Sequence, residues 1–308
     1  MHPAFSIVFF TTLAGSAQGL VVALVVATLA DRAPSAGFTV QALGVAQALL
    51  LAALAASFLH LGRPARAWRA VRMWRTSWMS REVIVLPAFM AVVGAWWLTL
   101  ALGKEPGLLL PLLALLLCAL LWLCTAMIYA CLRFLQEWAH PLTVVNYTLI
   151  GLSSGWVLAG ALAVLGGEDG FVRLLGPWAL ALTLAALSTR ALALLRNARL
   201  VPRSTQQTAT GIRAERLVQK SMGFSGGSFN TREFFAHASI PALRRIQLFM
   251  LLWGFVLPAA LLMWALGGGP PLAWLVALPL QFLGLLAERW LFFAQARHPQ
   301  NLYYQVVS

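Results

Sequence analysis

Residues 38–102 read FTVQALGVAQALLLAALAASFLHLGRPARAWRAVRMWRTSWMSREVIVLPAFMAVVGAWWLTLAL. Two apolar runs, 38–61 and 82–102, flank a connection dominated by Arg and Trp. Each run holds the roughly 20 residues a helix needs to cross a hydrocarbon core. Alternating strands of about 10 residues, as in a membrane barrel, are absent. An uninterrupted apolar run in lipid must satisfy its own backbone, and a helix does so. Similar windows recur at roughly 5–30, 107–130, 142–165, 172–195, 243–266 and 270–294. Only 10% of the chain is charged and 61% is hydrophobic, with mean hydropathy +0.81. Soluble domains carry about 25% charged residues. The expected fold is an all-α integral membrane protein of eight transmembrane helices, one domain over residues 1–308. Some windows are long enough to require tilt. The N-terminal stretch lacks a basic n-region, and its apolar run outlasts a signal peptide, so the first helix is expected to be retained.

Charge then orients the chain. With eight spans, both termini and the 2–3, 4–5 and 6–7 connections share one side, which holds 19 of the 22 Lys and Arg residues. The other side holds Arg32, Lys104 and Arg173, set against Asp31, Glu105, Glu168 and Asp169. This bias is the positive-inside pattern and places both termini in the cytoplasm, in a bacterial inner membrane. The net charge of +13 thus reports topology and predicts no nucleic-acid partner. Outer connections are short, so partners are expected on the cytoplasmic segments 60–82 and 196–242. Within 196–242, VPRSTQQTATG reads as loop and IRAERLVQK as two helical turns. GFSGGSFNTREFF lacks the Gly-Lys-Ser/Thr and preceding strand of a phosphate loop, and its glycines suit close approach to another surface.

Other functions leave weak signals. An ion translocator places ionisable residues mid-span, and here Glu288, beside Arg289 near the cytoplasmic end, is the deepest candidate. A bis-His haem needs two facing histidines. His2, His140, His237 and His298 sit at or outside span ends, leaving His60, so no haem is expected. Cys118, Cys124 and Cys131 lie in or at the end of the fourth span without nearby ligand partners and read as packing residues.

The stretch 58–82 gathers one His, six Arg, three Trp and one Glu. His60 ends an apolar helix, Gly62 and Pro64 stop it, and Glu82 marks the start of the next span. Two readings stand. In one, His60 caps its helix and Glu82 pairs with a loop Arg. In the other, His60 hydrogen-bonds one oxygen of a quinone whose tail lies in lipid, while Glu82 exchanges protons with water. Arg63, Arg66, Arg69, Arg72 and Arg75 recur every third residue, which sweeps around an α-helix. Only a 3₁₀ helix would align them, and long 3₁₀ runs are uncommon. These arginines are therefore expected to meet lipid headgroups, a docked protein and the site. Trp68, Trp74 and Trp78 suit an interfacial belt.

HLGRPARAW followed by SRE resembles the signature of the anchor subunit of dimethyl-sulfoxide-reductase-type molybdoenzymes. HPAFSIVFFTTLAGSAQG and GFSGGSFNTREFF are similar to members of that family, so the likeness covers nearly the whole sequence. The resemblance implies an eight-helix, haem-free, quinone-reactive subunit binding ubiquinone or menaquinone. It implies a four-cluster, ferredoxin-like iron–sulfur partner and, through it, a molybdopterin catalytic subunit. The quinone-site His falls on His60, the acid on Glu82 and the Arg on Arg66. Gly62 and Ser80 complete the candidate quinone-binding set. The cytoplasmic placement favours the branch that resembles the anchors of membrane-bound sulfite dehydrogenases, with electrons entering quinone. The alternative within the family is quinol oxidation for a dimethyl sulfoxide or related S- or N-oxide reductase. The alternatives outside it are an ion translocator and a purely structural anchor.

Overall fold

The computed structural model describes residues 3–59, 61–218 and 238–299. His60, most of GFSGGSFNTREFF and the C-terminal residues lie outside them. The eight expected spans form as α1 (Phe5–Leu29), α2 (Ala36–Phe58), α3 (Trp78–Ala101), α4 (Leu109–Ala130), α5 (Pro141–Gly166), α6 (Asp169–Ala198), α8 (Ile240–Leu266) and α9 (Leu272–Ala294). A short helix, α7, covers Gln206–Thr210, and a 3₁₀ helix covers Pro64–Met73. No strand occurs among the described residues. Connections after α1, α3, α5 and α8 are short turns at one end of the bundle. The longer basic connections lie at the other end, here termed the basic face.

Packing centres on α1, whose most apolar window is 78% buried, between α2, α4, α5 and α9. Small residues permit this. A Cβ on Gly19 would lie 2.1 Å from the Gly151 carbonyl oxygen, and one on Gly155 would lie 2.2 Å from the Gly19 carbonyl carbon. Backbones thus touch where α1 crosses α5, the close approach that small residues allow between helices in lipid. Ser16 donates to Ser154 across the same crossing at 3.1 Å. α8 carries a π turn at Leu252–Val256, where Gly254 meets Gly284 of α9 backbone to backbone. Near the basic face, Tyr129, Trp138, Tyr147, Phe292 and Phe293 form a cluster of stacked and edge-on rings.

Two local expectations are corrected. The loop-like VPRSTQQTATG contains α7, because Thr205 and Thr208 form a reciprocal cap at its start. The part of IRAERLVQK that is described, 212–218, is not helical: Gly211 in the left-handed region, φ 73°, ends α7 before that stretch can extend it. Among the cysteines, Cys118 and Cys124 are buried whereas Cys131 is exposed.

Candidate functional site

The connection between α2 and α3 starts from a strict three-residue repeat. Arg66, Arg69 and Arg72 share one position of the repeat, Ala65, Trp68 and Val71 the second, and Pro64, Ala67, Ala70 and Met73 the third. A helix with 3.0 residues per turn turns that repeat into one basic and two apolar faces, whereas 3.6 per turn would mix them. The segment adopts the 3₁₀ form over Pro64–Met73. The arginines therefore align, contrary to the expectation that they scatter around an α-helix. Arg69 and Arg72 hold their guanidinium carbons 5.5 and 5.3 Å from the Trp68 ring centre, the geometry of cation–π contact. Trp68 and Trp74 remain exposed.

At the start of α3, Ser77 caps the helix by accepting from the Ser80 backbone N–H. Arg81 turns back, donating to the carbonyls of Trp74 and Arg75 at 2.9 Å each, and lies over Trp78. The loop arginine nearest Glu82 in sequence is thus spent on fixing the connection. Glu82 turns inward, is 8% exposed and accepts a hydrogen bond from the Thr125 hydroxyl of α4. Among the described residues no ion pair reaches it, so the reading in which Glu82 pairs with a loop Arg does not describe this geometry. Ser80 is buried beside it. Gly62 and Arg66 are exposed on the connection, and no hydrogen bond links Arg66 to Glu82 among the described residues. The position of His60 lies outside the described residues.

A second polar group lies deeper. Glu288 of α9 is fully buried, with one carboxylate oxygen 2.8 Å from Arg190 Nε of α6 and the other paired with Arg289. The Arg289 guanidinium sits 4.1 Å above the Tyr147 ring. Buried charges persist when paired in this way. Arg190 is 3% exposed, so it belongs to the bundle interior rather than to the loop charges that orient the protein. Setting Arg190 and Arg289 aside leaves the charge bias intact. Towards the basic face, His140 caps α5 by accepting from the Leu142 N–H at 3.1 Å. Partial burial and the nearby Arg196 hold its imidazole below the usual histidine range. Arg196 in turn donates to the Gln136 carbonyl at 2.9 Å, and Gln136 donates to the Val201 carbonyl. The 4–5 connection and the start of the 6–7 segment are thereby joined into one surface.

Residues 1–215 match the family described as DMSO reductase anchor subunit (DmsC). The protein belongs to that family. The DmsC match spans α1 to α7 and so includes Glu82, Thr125 and Arg190. Along its full length the protein is similar to the sulfite dehydrogenase C protein of Allochromatium vinosum, 48% identical over 326 aligned positions that cover 100% of both proteins. It is also similar to YnfH, a chain of the anaerobic dimethyl sulfoxide reductase of Escherichia coli, 34% identical over 111 residues, 35% of this protein and 38% of that one. A third relative in the DmsC group belongs to the anaerobic dimethyl sulfoxide reductase of Haemophilus influenzae, 35% identical over 101 residues, 32% of this protein and 36% of that one. The resemblance drawn from HLGRPARAW and SRE is therefore correct at the level of family.

Sequence reasoning about this DmsC-family anchor missed Thr125, Tyr147 and Arg190. A lone Thr or Tyr in an apolar span carries no signal by itself. Arg190 was legible in principle, since α6 continues to Ala198 and places that arginine two turns inside the helix end rather than in the loop.

Proposed function

We propose that this protein is the membrane anchor and quinone-reducing subunit of a three-subunit molybdopterin and iron–sulfur oxidoreductase of the bacterial cytoplasmic membrane, with sulfite as the substrate of the catalytic partner. The observation that carries this reading is the end-to-end similarity to the sulfite dehydrogenase relative. Reducing a quinone takes two electrons and two protons, one proton to each ring oxygen. In this reading the electrons come from the terminal cluster of the iron–sulfur partner, docked on 60–82 and 205–240. His60 hydrogen-bonds one quinone oxygen, Glu82 passes protons, and Gly62, Arg66 and Ser80 complete the binding region. Glu82 supports the proton role because its carboxyl is buried yet held by a neutral hydroxyl rather than locked in an ion pair. The aligned arginine face and the tied 4–5 and 6–7 connections support an acidic or polar protein surface as the docking partner.

A complex purified through a tag on this protein should contain the two partner subunits and release quinone on extraction. A tag that recovers this protein alone, or a complete complex that neither binds nor reduces quinone, would contradict the proposal. The cytoplasmic placement rests on the Lys and Arg bias. The partial similarity to dimethyl sulfoxide reductase proteins supports a second reading, quinol oxidation for a reductase. Reporter fusions at the C-terminus separate the two readings. Fluorescence without alkaline phosphatase activity is expected for a cytoplasmic end, whereas an extracytoplasmic end favours the reductase.

A further inference from the structure

Between Glu82 and the basic face the bundle interior is polar in a connected way. One cavity of about 20 Å³ is lined by Thr11, Gln18, Trp122, Thr125, Tyr147 and Arg289. A second, of about 10 Å³, is lined by Asn146, Tyr147, Arg190 and Arg289, with the half-exposed Glu137 and His140 at its rim. Tyr147 and Arg289 line both. Along these cavities the Trp122 indole N–H, the Tyr147 hydroxyl, the Asn146 carbonyl and Arg190 Nη2 are buried and make no hydrogen bond within the protein. Buried polar atoms beside a small polar cavity are where structural water resides, and a water needs roughly 10–15 Å³. With one water in each cavity, Glu82, Thr125, Tyr147 and the rim residues fall on one hydrogen-bonded line.

We propose that this line is the path by which Glu82 exchanges protons with the aqueous phase at the basic face, a role that rests on the quinone reading. For each quinone reduced, two electrons arrive from the iron–sulfur partner and two protons enter from water at Glu137 and His140. They pass the Tyr147 hydroxyl and reach the Glu82 carboxylate by way of Thr125, and Glu82 delivers them to the quinone oxygens. The charges fit this direction of transfer. Arg190, Arg289, Glu288 and an ionised Glu82 sum to zero, so each proton taken up by Glu82 leaves one uncompensated positive charge inside the bundle. That excess favours onward release to the quinone. The groups facing Tyr147 are Tyr129 of α4, stacked at 5.7 Å, Arg289 and Glu288 of α9 and Arg190 of α6. α1 contributes only uncharged residues. Tyr147 is a positioning and relay residue here, since it touches neither quinone nor electron donor.

The test compares the wild-type complex and its Tyr147→Phe variant, which keeps the stacked ring and removes the hydroxyl. The expected result is a fall of ~10-fold or more in quinone turnover, the scale of a lost proton-transfer step. KM for a short-chain ubiquinone and the dye-linked activity of the partners should be unchanged, and the solvent deuterium isotope effect should be larger. Turnover and isotope effect equal to wild type would overturn the path while leaving the quinone reading intact. A parallel loss of dye-linked activity would assign Tyr147 a purely structural role and also overturn it. A wild-type complex that reduces no quinone would remove both readings. If the variant fails to accumulate, Thr125→Val interrupts the line at its Glu82 end and carries the same expectations.

Discussion

Gly155→Val is expected to prevent assembly of the eight-helix bundle. A Cβ at Gly155 would sit 2.2 Å from the Gly19 carbonyl carbon and 2.2 Å from the Leu20 nitrogen. Both neighbours are backbone atoms of α1, so no side-chain rotation relieves the clash. The central helix must move away from α5, and that crossing also holds the Ser16–Ser154 hydrogen bond. Overpacking typically costs about 1–3 kcal/mol and sometimes more, and a backbone clash on the innermost helix belongs at the upper end. Against a total stability of roughly 5–15 kcal/mol, the variant should yield little protein in the membrane fraction, and what remains should melt well below wild type in detergent. Gly37→Ala is the control: nothing lies within 4 Å of its Cβ, and it should melt with the wild type. Normal yield and melting of Gly155→Val would contradict the close crossing of α1 and α5.

The second large effect is expected at Glu82. Glu82→Gln keeps the shape of the side chain, and its amide can still accept from Thr125, so the fold should survive. What it loses is the ability to gain and release a proton. A positioned acid or base contributes ~10²–10⁴-fold to a reaction of this kind. Substrate-to-quinone turnover of the complex should therefore fall by about 100-fold or more, while substrate-to-dye activity stays at the wild-type level. A comparable fall in both activities would indicate lost assembly, and no fall in either would remove Glu82 from the proton route.

The fold is largely legible in the sequence because length and hydropathy decide what can cross a bilayer. All eight windows appear as helices, with ends shifted by a few residues. α3 shifts most, starting at Trp78 rather than at residue 82, because Ser77 supplies a cap that a hydropathy window cannot see. The 3₁₀ helix is visible as a three-residue repeat, yet the rarity of long 3₁₀ runs argues against it. The repeat prevails because only that turn separates arginines from tryptophans. The π turn in α8 leaves no mark in composition, since it answers the contact between Gly254 and Gly284, two residues 30 positions apart in the sequence. Site legibility divides similarly. Glu82 stands out as an acid at the mouth of a span, whereas Thr125 and Tyr147 become meaningful only when the fold places them beside charged groups. Arg190 reads as a loop charge in the sequence because its burial depends on Glu288, which lies in the last span.

The central claim is that this anchor delivers electrons to a quinone held by His60. Its most direct test is a paired assay on the assembled complex carrying His60→Gln, with sulfite as donor and either a ubiquinone analogue or an artificial dye as acceptor. Loss of quinone reduction with full dye reduction is the predicted result. Quinone reduction at the wild-type rate would contradict it.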